Sequence, residues 1–322
     1  MKDFGRSALL FVAIGLALYA GVYWWAERLQ YATGRSNPLF KIETATRTDY
    51  DWVILDASHA MPLDFDDINA LMERETGLRI LNLASQGSGP LYNRFVLENF
   101  LRRHRAKHLL YVVDSFAFRS PEWNEDRFSD AKLLRRTPLK WTIARSLFNY
   151  SRHEGVTFLA VIDYVTGFSK INNRERFQRD QWDGEAQFER VYRPSSSLLQ
   201  KRIEYLYPPL ASSDLPFRYL AKFADIIALA QQNGMQVMLI EMPLPAEFSK
   251  ARPQDREFSD AIGLLVSDRG LAFQDLDGVL PDPHYYFDTD HLNRTGVTEF
   301  FERYLKAILL SPAAPNSLLT PE

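Results

Sequence analysis

A run of twenty residues near the amino terminus, from Ser7 to Ala26, contains no Asp, Glu, Lys or Arg. As a helix it would be about 30 Å long, which matches the hydrocarbon core of a bilayer. Basic residues precede the run, and Trp24 and Trp25 lie at its far end, where aromatic side chains favour the membrane interface. The run therefore predicts a single helix in the inner membrane, with residues 1–6 in the cytoplasm and the following domain outside it.

A cleavable signal peptide is the competing interpretation of this run. The apolar part of a signal peptide is usually about 7–15 residues long. The best cleavage site here pairs Leu18 with Ala20, where two small residues are favoured. We therefore expect an uncleaved anchor in contact with the lipid bilayer. The positive-inside rule places the amino terminus inside, although Arg28 and Arg35 nearly balance the basic residues on the other side.

Composition excludes several classes of function. The chain has 322 residues and a net charge of −3, from 38 basic and 41 acidic residues, so it offers no overall positive field for a nucleic acid. It has no cysteine, which excludes disulfides, thiolate metal sites and a cysteine nucleophile. The carboxylates follow no EF-hand pattern and no helix carries His-Glu-x-x-His. We expect no metal and no cofactor.

Short apolar runs alternate with helical patterns along the rest of the chain. Continuous apolar strands of this kind are typical of buried parallel sheets, whereas half-exposed strands alternate. The alternation predicts a doubly wound, mostly parallel α/β sheet of flavodoxin-like type. The predicted strands are 52–55, 78–84, 107–113, 236–241 and 271–275, and the predicted helices are 66–76, 90–104, 217–232, 255–267 and 294–310.

One long segment in the middle of the chain breaks this rhythm. It is rich in charge clusters, aromatic residues and turn residues, and a structureless loop of that length would be unusual in a compact domain. We expect it to form helices of its own as an insertion or lid. The predicted division is an anchor at 7–26, a polar stalk at 27–50, the first half of the α/β domain at 51–117, the insertion at 118–216, the second half at 217–311 and a tail at 312–322.

Candidate site residues follow the predicted strands, because ligands bind beyond the carboxyl ends of a parallel sheet. Ser58 follows the first strand, and the last loop carries His291 with two carboxylates, Asp288 and Asp290. A serine hydroxyl needs a base within hydrogen-bond reach and a third group that orients the base. These residues supply the parts of such a triad. Each also has a simpler interpretation, as a turn residue, a helix cap or a loop histidine.

Three blocks of sequence strengthen the catalytic interpretation by their order. They are Asp56-Ala57-Ser58; Asn82 to Gly87; and Asp288-Thr289-Asp290-His291, extended by Leu292-Asn293 and Gly296. This pattern resembles the SGNH (GDSL-like) hydrolase superfamily, and the extended last block is similar to that of membrane-anchored members that act beside polysaccharide and teichoic-acid O-acylation systems. The resemblance covers roughly the first and last thirds of the part that follows the anchor.

The resemblance implies a role for each matched residue. Ser58 would be the nucleophile, His291 the base and Asp288 the acid that orients it, while the backbone N–H groups of Ser58 and Gly87 would face the oxyanion. Asp56 and Ala57 replace the Gly and Asp that the family has ahead of its serine. The family's third block, Gly-x-Asn-Asp, is absent, and Asp114 stands after the third strand instead.

Other residues are expected around this triad. Asp290 is the alternative orienting acid, and His59 and Asp114 are expected to support the site from behind. Aromatic residues of the insertion could stack on sugar rings, although such residues more often close over a core. The candidate substrate-binding residues are Gly89, Trp182, Tyr192 and His284.

The function implied is that of a membrane-anchored acyl-ester hydrolase or O-acyltransferase. It would act through an acyl-enzyme on a cell-envelope or secreted polysaccharide, with a multi-span membrane acyltransferase as a further partner. The alternative is a catalytically inactive protein of SGNH type that binds glycan or docks onto such an acyltransferase. Fold alone does not choose between these functions.

Overall fold

A computed structural model of the protein describes residues 2–253 and 255–311. Its centre is one sheet of five strands in the order β2-β1-β3-β4-β5, and every neighbouring pair is parallel. Helices lie on both sides of the sheet, so the predicted doubly wound α/β architecture is confirmed. The predicted tail, 312–322, lies outside the described residues. The strands are β1 Asp49–Leu55, β2 Ile80–Asn82, β3 Arg105–Val112, β4 Gln236–Glu241 and β5 Ala272–Asp275.

The strands form where the sequence is continuously apolar. Trp52, Val53, Ile54 and Leu55 of β1 have no exposed surface. Burial of both faces of the central strands removes apolar area from water at about 25 cal/mol per Å², which is the main stabilising contribution to such a core. The short β2 and the partly exposed β5 lie at the two edges of the sheet.

The α-helices connect and flank these strands. They are α1 Lys2–Thr33, α2 Pro38–Thr44, α3 Ile68–Thr76, α4 Pro90–Leu101, α5 Ala131–Leu134, α6 Trp141–His153, α7 Phe158–Thr166, α8 Phe168–Ile171, α9 Ser196–Leu206, α10 Leu215–Gln232, α11 Ala246–Ala251, α12 Arg256–Arg269, α13 Arg294–Phe300 and α14 Lys306–Leu310. A π-helical turn, Phe301–Leu305, joins the last two.

The chain divides into two compact units that each use separate stretches of sequence. The first contains residues up to Glu43 and Phe128–Asp180, and the second contains Thr44–Arg127 and residues from Gln181 onward. The predicted insertion, 118–216, is therefore broader than the separate unit that the structure shows. Its first ten residues, and those after Asp180, belong with the sheet.

The prediction of a polar stalk at 27–50 is wrong. Helix α1 continues through this region as far as Thr33, and α2 follows at Pro38–Thr44. The continuation is helical because its side chains pack inside the first unit: Glu27 pairs with Lys170, and Gln30 donates to the Arg136 carbonyl. Polar residues that looked solvent-exposed in the sequence therefore have partners in the fold.

The amino-terminal part of α1 is the candidate membrane span. In the described part of the chain, it is the one helix that is long and apolar enough to cross a bilayer, by length and composition. The span covers Phe4–Thr33, with a mean hydropathy of 1.8 in its most apolar window, and none of that window is buried in the protein. This matches the predicted single anchor in position.

The topology of the sheet determines where a site can form. All five strands point the same way, so the loops that follow them open at one edge. In the order 2-1-3-4-5 the connections from β1 and β3 diverge, and a crevice opens between the two strands at that edge. Ser58 and His59 follow β1, and Asp114 follows β3. The second unit therefore brings these residues to the usual ligand position of such a sheet.

Candidate active site

Ser58 and His291 are in direct hydrogen-bond contact. The Oγ of Ser58 lies 2.9 Å from Nε2 of His291, across 233 residues of sequence. Both residues are buried, with exposed fractions of 5% and 2%. The turn that carries Ser58 is fixed by Asp56, whose Oδ2 accepts a hydrogen bond of 2.6 Å from the Ala60 N–H. Asp56 thus stabilises the turn at the position where the SGNH pattern has glycine.

Asp288 completes the chain of hydrogen bonds. Both of its carboxyl oxygens lie 2.9 Å from Nδ1 of His291, and its side chain is 37% exposed. Oδ1 also accepts from the backbone N–H groups of Asp290 and His291, at 3.1 and 2.8 Å. These bonds hold the carboxyl group in place, and the tight loop brings it into contact with a histidine only three residues later. The arrangement fixes the tautomer of His291 that carries its proton on Nδ1.

The residues after His291 hold this loop against α13. The side chain of Asn293 caps α13 by accepting from the Gly296 N–H at 2.9 Å, and its amide donates to three loop carbonyls. A Cβ atom at Gly296 would lie only 2.1 Å from the carbonyl oxygen of Tyr285, so the position requires glycine. The capping role of Asn293 and the close packing at Gly296 therefore explain why these two residues follow His291.

Two aromatic rings pack against the His291 imidazole. Phe287 stacks on it, with 5.5 Å between the ring centroids and an angle of 8°. Trp182 contacts it edge-on at 5.0 Å and is only partly buried. The rings restrict rotation of the imidazole. The structure thus brings this candidate substrate-binding residue to the triad.

Beside the triad lies a second set of charged groups, which is buried apart from a partly exposed Arg202. The ring of His59 bridges two carboxyl groups, with Nδ1 2.7 Å from Asp114 and Nε2 3.1 Å from Asp290. Asp290 has no exposed side-chain surface and is also held by Arg202, at 2.7 to 3.0 Å. The Oδ1 of Asp290 is 3.6 Å from Nδ1 of His291. Asp288 is therefore the direct partner of His291, and Asp290 is the partner of His59 and Arg202.

Electrostatics favour the charged forms of His59 and Asp290. Burial by itself lowers the pKa of His59, but the charges and hydrogen bonds of Asp114 and Asp290 outweigh it and raise the pKa well above its usual range. Burial by itself raises the pKa of Asp290, but the charge of Arg202, together with the hydrogen bond and the charge of His59, holds the pKa well below its usual range. We infer that His59 is protonated in its place between Asp114 and Asp290.

Asp56 behaves differently from the other carboxyl groups. Burial, followed by the charge of Asp114, raises the pKa of Asp56 well above its usual range, despite hydrogen bonds from the Ala60 and Ala57 N–H groups. Within the described residues, its Oδ1 and the Oδ2 of Asp114 are buried without a hydrogen-bond partner. A protonated Asp56 avoids a third buried negative charge beside Asp114. This favours the neutral form in the folded protein.

The loop after β2 carries the second matched block. Asn82 donates to the carbonyl of Ala60 at 2.7 Å and accepts from the Ala84 N–H, so it ties this loop to the one that carries Ser58. Gly87 has a φ of +65°, which favours glycine, and a Cβ there would lie 3.0 Å from the ring of Trp123. The positive φ and the close approach of Trp123 explain a glycine at this position, and the oxyanion role of its N–H stays a prediction.

Three candidate substrate-binding residues make other contacts. A Cβ on Gly89 would lie 2.6 Å from the side chain of Asn124, so close packing explains why a glycine occupies this position. His284 is half exposed and pairs with Asp282 at 2.8 Å, and its ring contacts that of Tyr285 at an angle of 40°. The N–H of Tyr192 donates to the Tyr286 carbonyl. These contacts give each of the three residues a structural role, and their part in substrate binding stays a prediction.

Sequence reasoning missed Arg202 entirely. It lies in α9, and its partner Asp290 is 88 residues away with no local pattern that links them. The part played by Phe287 could have been suspected from its position beside the Asp-x-x-His block. The bridge formed by His59 was visible in the sequence only as a histidine next to the serine, and both of its partners come from other loops.

One group of possible metal ligands occurs among the residues that the structure describes. Ligand atoms of His59, Asp290 and His291 lie within 4.8 Å of one another. Each is already used: His59 by Asp114 and Asp290, His291 by Ser58 and Asp288, and Asp290 by Arg202. A cation would also meet the guanidinium of Arg202 at close range. The cluster is better described as a network of hydrogen bonds and ion pairs.

Comparison with known proteins adds little to this geometry. No protein-family model and no curated protein matches the chain. A crystal structure of a Bacteroides fragilis protein, to which acylhydrolase activity is ascribed, is similar over 83% of this chain and 90% of that one, with 10% identity and a TM-score of 0.37. At that identity and score the match does not identify the family or the activity of this chain.

Proposed function

We propose that the protein is an acyl-ester hydrolase or O-acyltransferase with Ser58 as its nucleophile. The observation that supports this most is the continuous chain of hydrogen bonds from Ser58 through His291 to Asp288, with 2.9 Å at each step. Nucleophile, base and orienting acid are in direct contact at the edge of a parallel sheet where ligands usually bind. The SGNH-like sequence blocks supply the same three residues in the same roles.

In the proposed reaction the Oγ of Ser58 attacks the acyl carbonyl, and Nε2 of His291 takes its proton. Asp288 keeps the other imidazole proton on Nδ1 and stabilises the imidazolium that forms. His291 then gives the proton to the departing oxygen, which leaves an ester on Ser58. Water or a sugar hydroxyl, activated by His291 in turn, releases the acyl group. Acceptance by water makes the protein a hydrolase, and acceptance by a sugar makes it a transferase.

The oxyanion is assigned to backbone donors. The loops of Ser58 and Gly87 are tied together by Asn82, and their N–H groups are the candidates for this role. The side chain of Asp114 cannot replace the missing Asn, because it accepts hydrogen bonds and already binds His59. Loss of one oxyanion donor costs about 2.7–4 kcal/mol of transition-state stabilisation in a serine hydrolase. We therefore expect modest turnover unless a partner completes the site.

The proposed substrate is an acylated polysaccharide of the cell envelope or one being secreted. Support comes from the apolar amino-terminal helix, which would hold the domain at the outer face of the inner membrane. The partly exposed ring of Trp182 beside His291 could pack on a sugar face. A multi-span membrane acyltransferase is the proposed donor partner, since an anchored enzyme beside one would receive its acyl group at the membrane.

The test is the Ser58→Ala variant of the full chain in detergent, assayed on a small activated acyl ester and on an acetylated polysaccharide. We expect a loss of about 10³-fold or more in kcat, and a loss of stability of about 1–3 kcal/mol, because the change leaves Nε2 of the buried His291 without its partner. Ser88→Ala is the matched control, because Ser88 is another buried serine of this edge whose hydroxyl bonds to Ser85. Equal activity of wild type and Ser58→Ala would refute the nucleophile.

The second candidate function is a catalytically inactive glycan-binding protein. The observation that favours it is Asp114, an acceptor where SGNH enzymes carry an oxyanion Asn. In this case neither wild type nor Ser58→Ala would turn over any ester, with or without the acyltransferase. Both would bind the polysaccharide equally, and Trp182→Ala would weaken that binding. Equilibrium binding to the acetylated polysaccharide separates the two candidates.

A further inference from the structure

Helix α7 of the first unit is apolar on both of its sides. Ala160, Val161 and Tyr164 are buried inside the unit. The other side, with residue Phe168 of α8, is exposed; we call this surface the α7 face. Its members are Phe158, Leu159, Ile162, Val165 and Phe168, with exposed fractions of 53%, 69%, 45%, 48% and 63%. A helix that is apolar all round is typical of a protein core or a lipid environment, and these side chains are not in the core.

The one acidic residue of α7 does not interrupt this surface. Asp163 accepts hydrogen bonds from the N–H and the hydroxyl of Ser169, at 2.8 and 2.5 Å. Its carboxyl group is therefore occupied at the start of α8. The helix has no other charged residue, so the α7 face presents hydrocarbon without a nearby free charge on its own element.

The carboxyl end of α7 is attached to the candidate membrane span. The hydroxyl of Tyr19 donates to the Thr166 carbonyl at 2.8 Å, and that of Tyr23 donates to the Tyr164 carbonyl at 3.2 Å. A Cβ at Gly167 would lie 2.5 Å from the ring of Tyr23, so the backbones approach closely. These contacts fix the position of α7 along the axis of α1.

The point on α1 to which α7 is attached lies within the apolar part of the helix. Tyr19 and Tyr23 precede Ala26, the end of the uncharged run, by seven and three residues. At 1.5 Å per residue they lie about 10 and 5 Å inside that end. Amphipathic interfacial helices insert to a similar depth, about 5–10 Å below the headgroup boundary. If α1 spans the bilayer, the attached end of α7 is within the lipid.

The charge around this surface also suits a lipid surface. Residues 128–180 contain ten Lys and Arg against five Asp and Glu, in a chain whose net charge is −3. Arg28 lies over the ring of Trp24 and Arg176 over that of Trp25, at the end of the span where headgroups would be. Trp141 is 80% exposed at the start of α6. Basic residues and tryptophans are typical of the interface of an anionic leaflet.

We propose that the α7 face is inserted in the outer leaflet beside α1, as a second membrane-binding element of the first unit. The proposal rests on α1 as the membrane anchor of the proposed function. The occupant of the α7 face is lipid, because hydrogen bonds to Tyr19 and Tyr23 hold α7 at the level of the bilayer. Insertion would fix the tilt and rotation of the first unit on the membrane, which a single helix cannot do.

Probes at single cysteines test this in the full chain, which has no cysteine of its own. Leu159→Cys and Ile162→Cys place an environment-sensitive fluorophore on the α7 face. Leu16→Cys reports on α1, and Leu264→Cys is the matched control, an exposed leucine of α12 in the second unit. Each labelled protein is reconstituted in phosphatidylcholine–phosphatidylglycerol vesicles that contain nitroxide-labelled lipid, and iodide is added as an aqueous quencher. Thermal melting and ester turnover verify the fold of each variant.

We expect nitroxide lipid to quench positions 159 and 162 to an extent comparable with position 16, at a shallower depth, and iodide to quench position 264 alone. Iodide quenching at 159 and 162 with lipid quenching at 16 would overturn the proposal and leave the anchor standing. Protection at 159 and 162 from both quenchers would overturn it in favour of a second protein copy. Iodide quenching at 16 would overturn both the anchor and the α7 face, while Ser58-dependent turnover would still report separately on the enzyme.

Discussion

Two carboxyl groups two residues apart, Asp288 and Asp290, have different partners, and replacing each by asparagine should separate activity from stability. Asp288 contacts Nδ1 of His291 at 2.9 Å and is 37% exposed. Asp290 is buried, and it is bound to Arg202 and His59. We expect Asp288→Asn to abolish most turnover in a stable protein, and Asp290→Asn to destabilise the fold.

The magnitudes follow from these contacts. In Asp288→Asn the amide can donate to Nδ1 of His291, which stabilises the wrong tautomer, and the corresponding change in a serine protease lowers kcat about 10⁴-fold. Its side-chain oxygen can still accept the loop N–H groups, so the stability change should be about 1 kcal/mol or less. In Asp290→Asn the charges of Arg202 and His59 lose a buried partner, which costs about 3–5 kcal/mol.

The assay pairs kcat on an activated acyl ester with thermal melting of the full chain in detergent. A loss of 3–5 kcal/mol corresponds to a fall in Tm of roughly 6–20 °C for a domain of this size. Residual activity of Asp290→Asn, measured well below its Tm, should exceed that of Asp288→Asn. The reasoning is refuted if Asp288→Asn keeps wild-type kcat, or if Asp290→Asn melts with the wild type and has the lower kcat.

Two further predictions use the same preparation. The pKa of His59 is raised in the fold, so its contribution to stability is complete below the unfolded value of about 6.5 and is lost as pH rises through the folded value. The Tm of the wild type should therefore fall as the solution becomes alkaline. The His59→Gln variant should be less stable at neutral pH, and its Tm should not show this dependence on pH. Gly87→Ala and its control Gly77→Ala both place alanine at positive φ, which costs about 1–2 kcal/mol. Only Gly87→Ala should also lower kcat, because Gly87 is the proposed oxyanion donor and packs against the ring of Trp123. Equal kcat in the two variants would refute the proposed role of Gly87.

The sheet could be predicted from sequence because its cause is local. Five runs of apolar residues, separated by helical patterns, correspond to β1–β5 with ends that differ by a few residues. The convergence of Ser58, Asp288 and His291 was also within reach, since parallel strands bring their following loops to one edge. Choosing Asp288 over Asp290 depended on the Asp-x-x-His spacing. Only the distances of 2.9 and 3.6 Å to His291 separate their roles.

The division into units could not be read from the sequence. The polar residues after Ala26 look like an exposed stalk, yet Glu27 and Gln30 find partners in 128–180. Charge and aromatic content gave no reason to end the inserted unit at Asp180 rather than near residue 216. Such boundaries depend on which side chains pack together, and a pairing such as Arg202 with Asp290 has no signal along the chain.

The buried charges behind the triad suit a base that must briefly carry a proton. When His291 accepts the proton of Ser58, it becomes a cation with Asp288 at 2.9 Å and Asp290 at 3.6 Å. A nearby imidazolium on His59 would oppose this step, since the two rings are 5.1 Å apart. Its charge is offset by Asp114, and Arg202 offsets that of Asp290. Because these pairs largely cancel, Asp288 is the carboxyl group left to stabilise the new cation. The network can therefore orient the loops around Ser58 without suppressing proton transfer to His291.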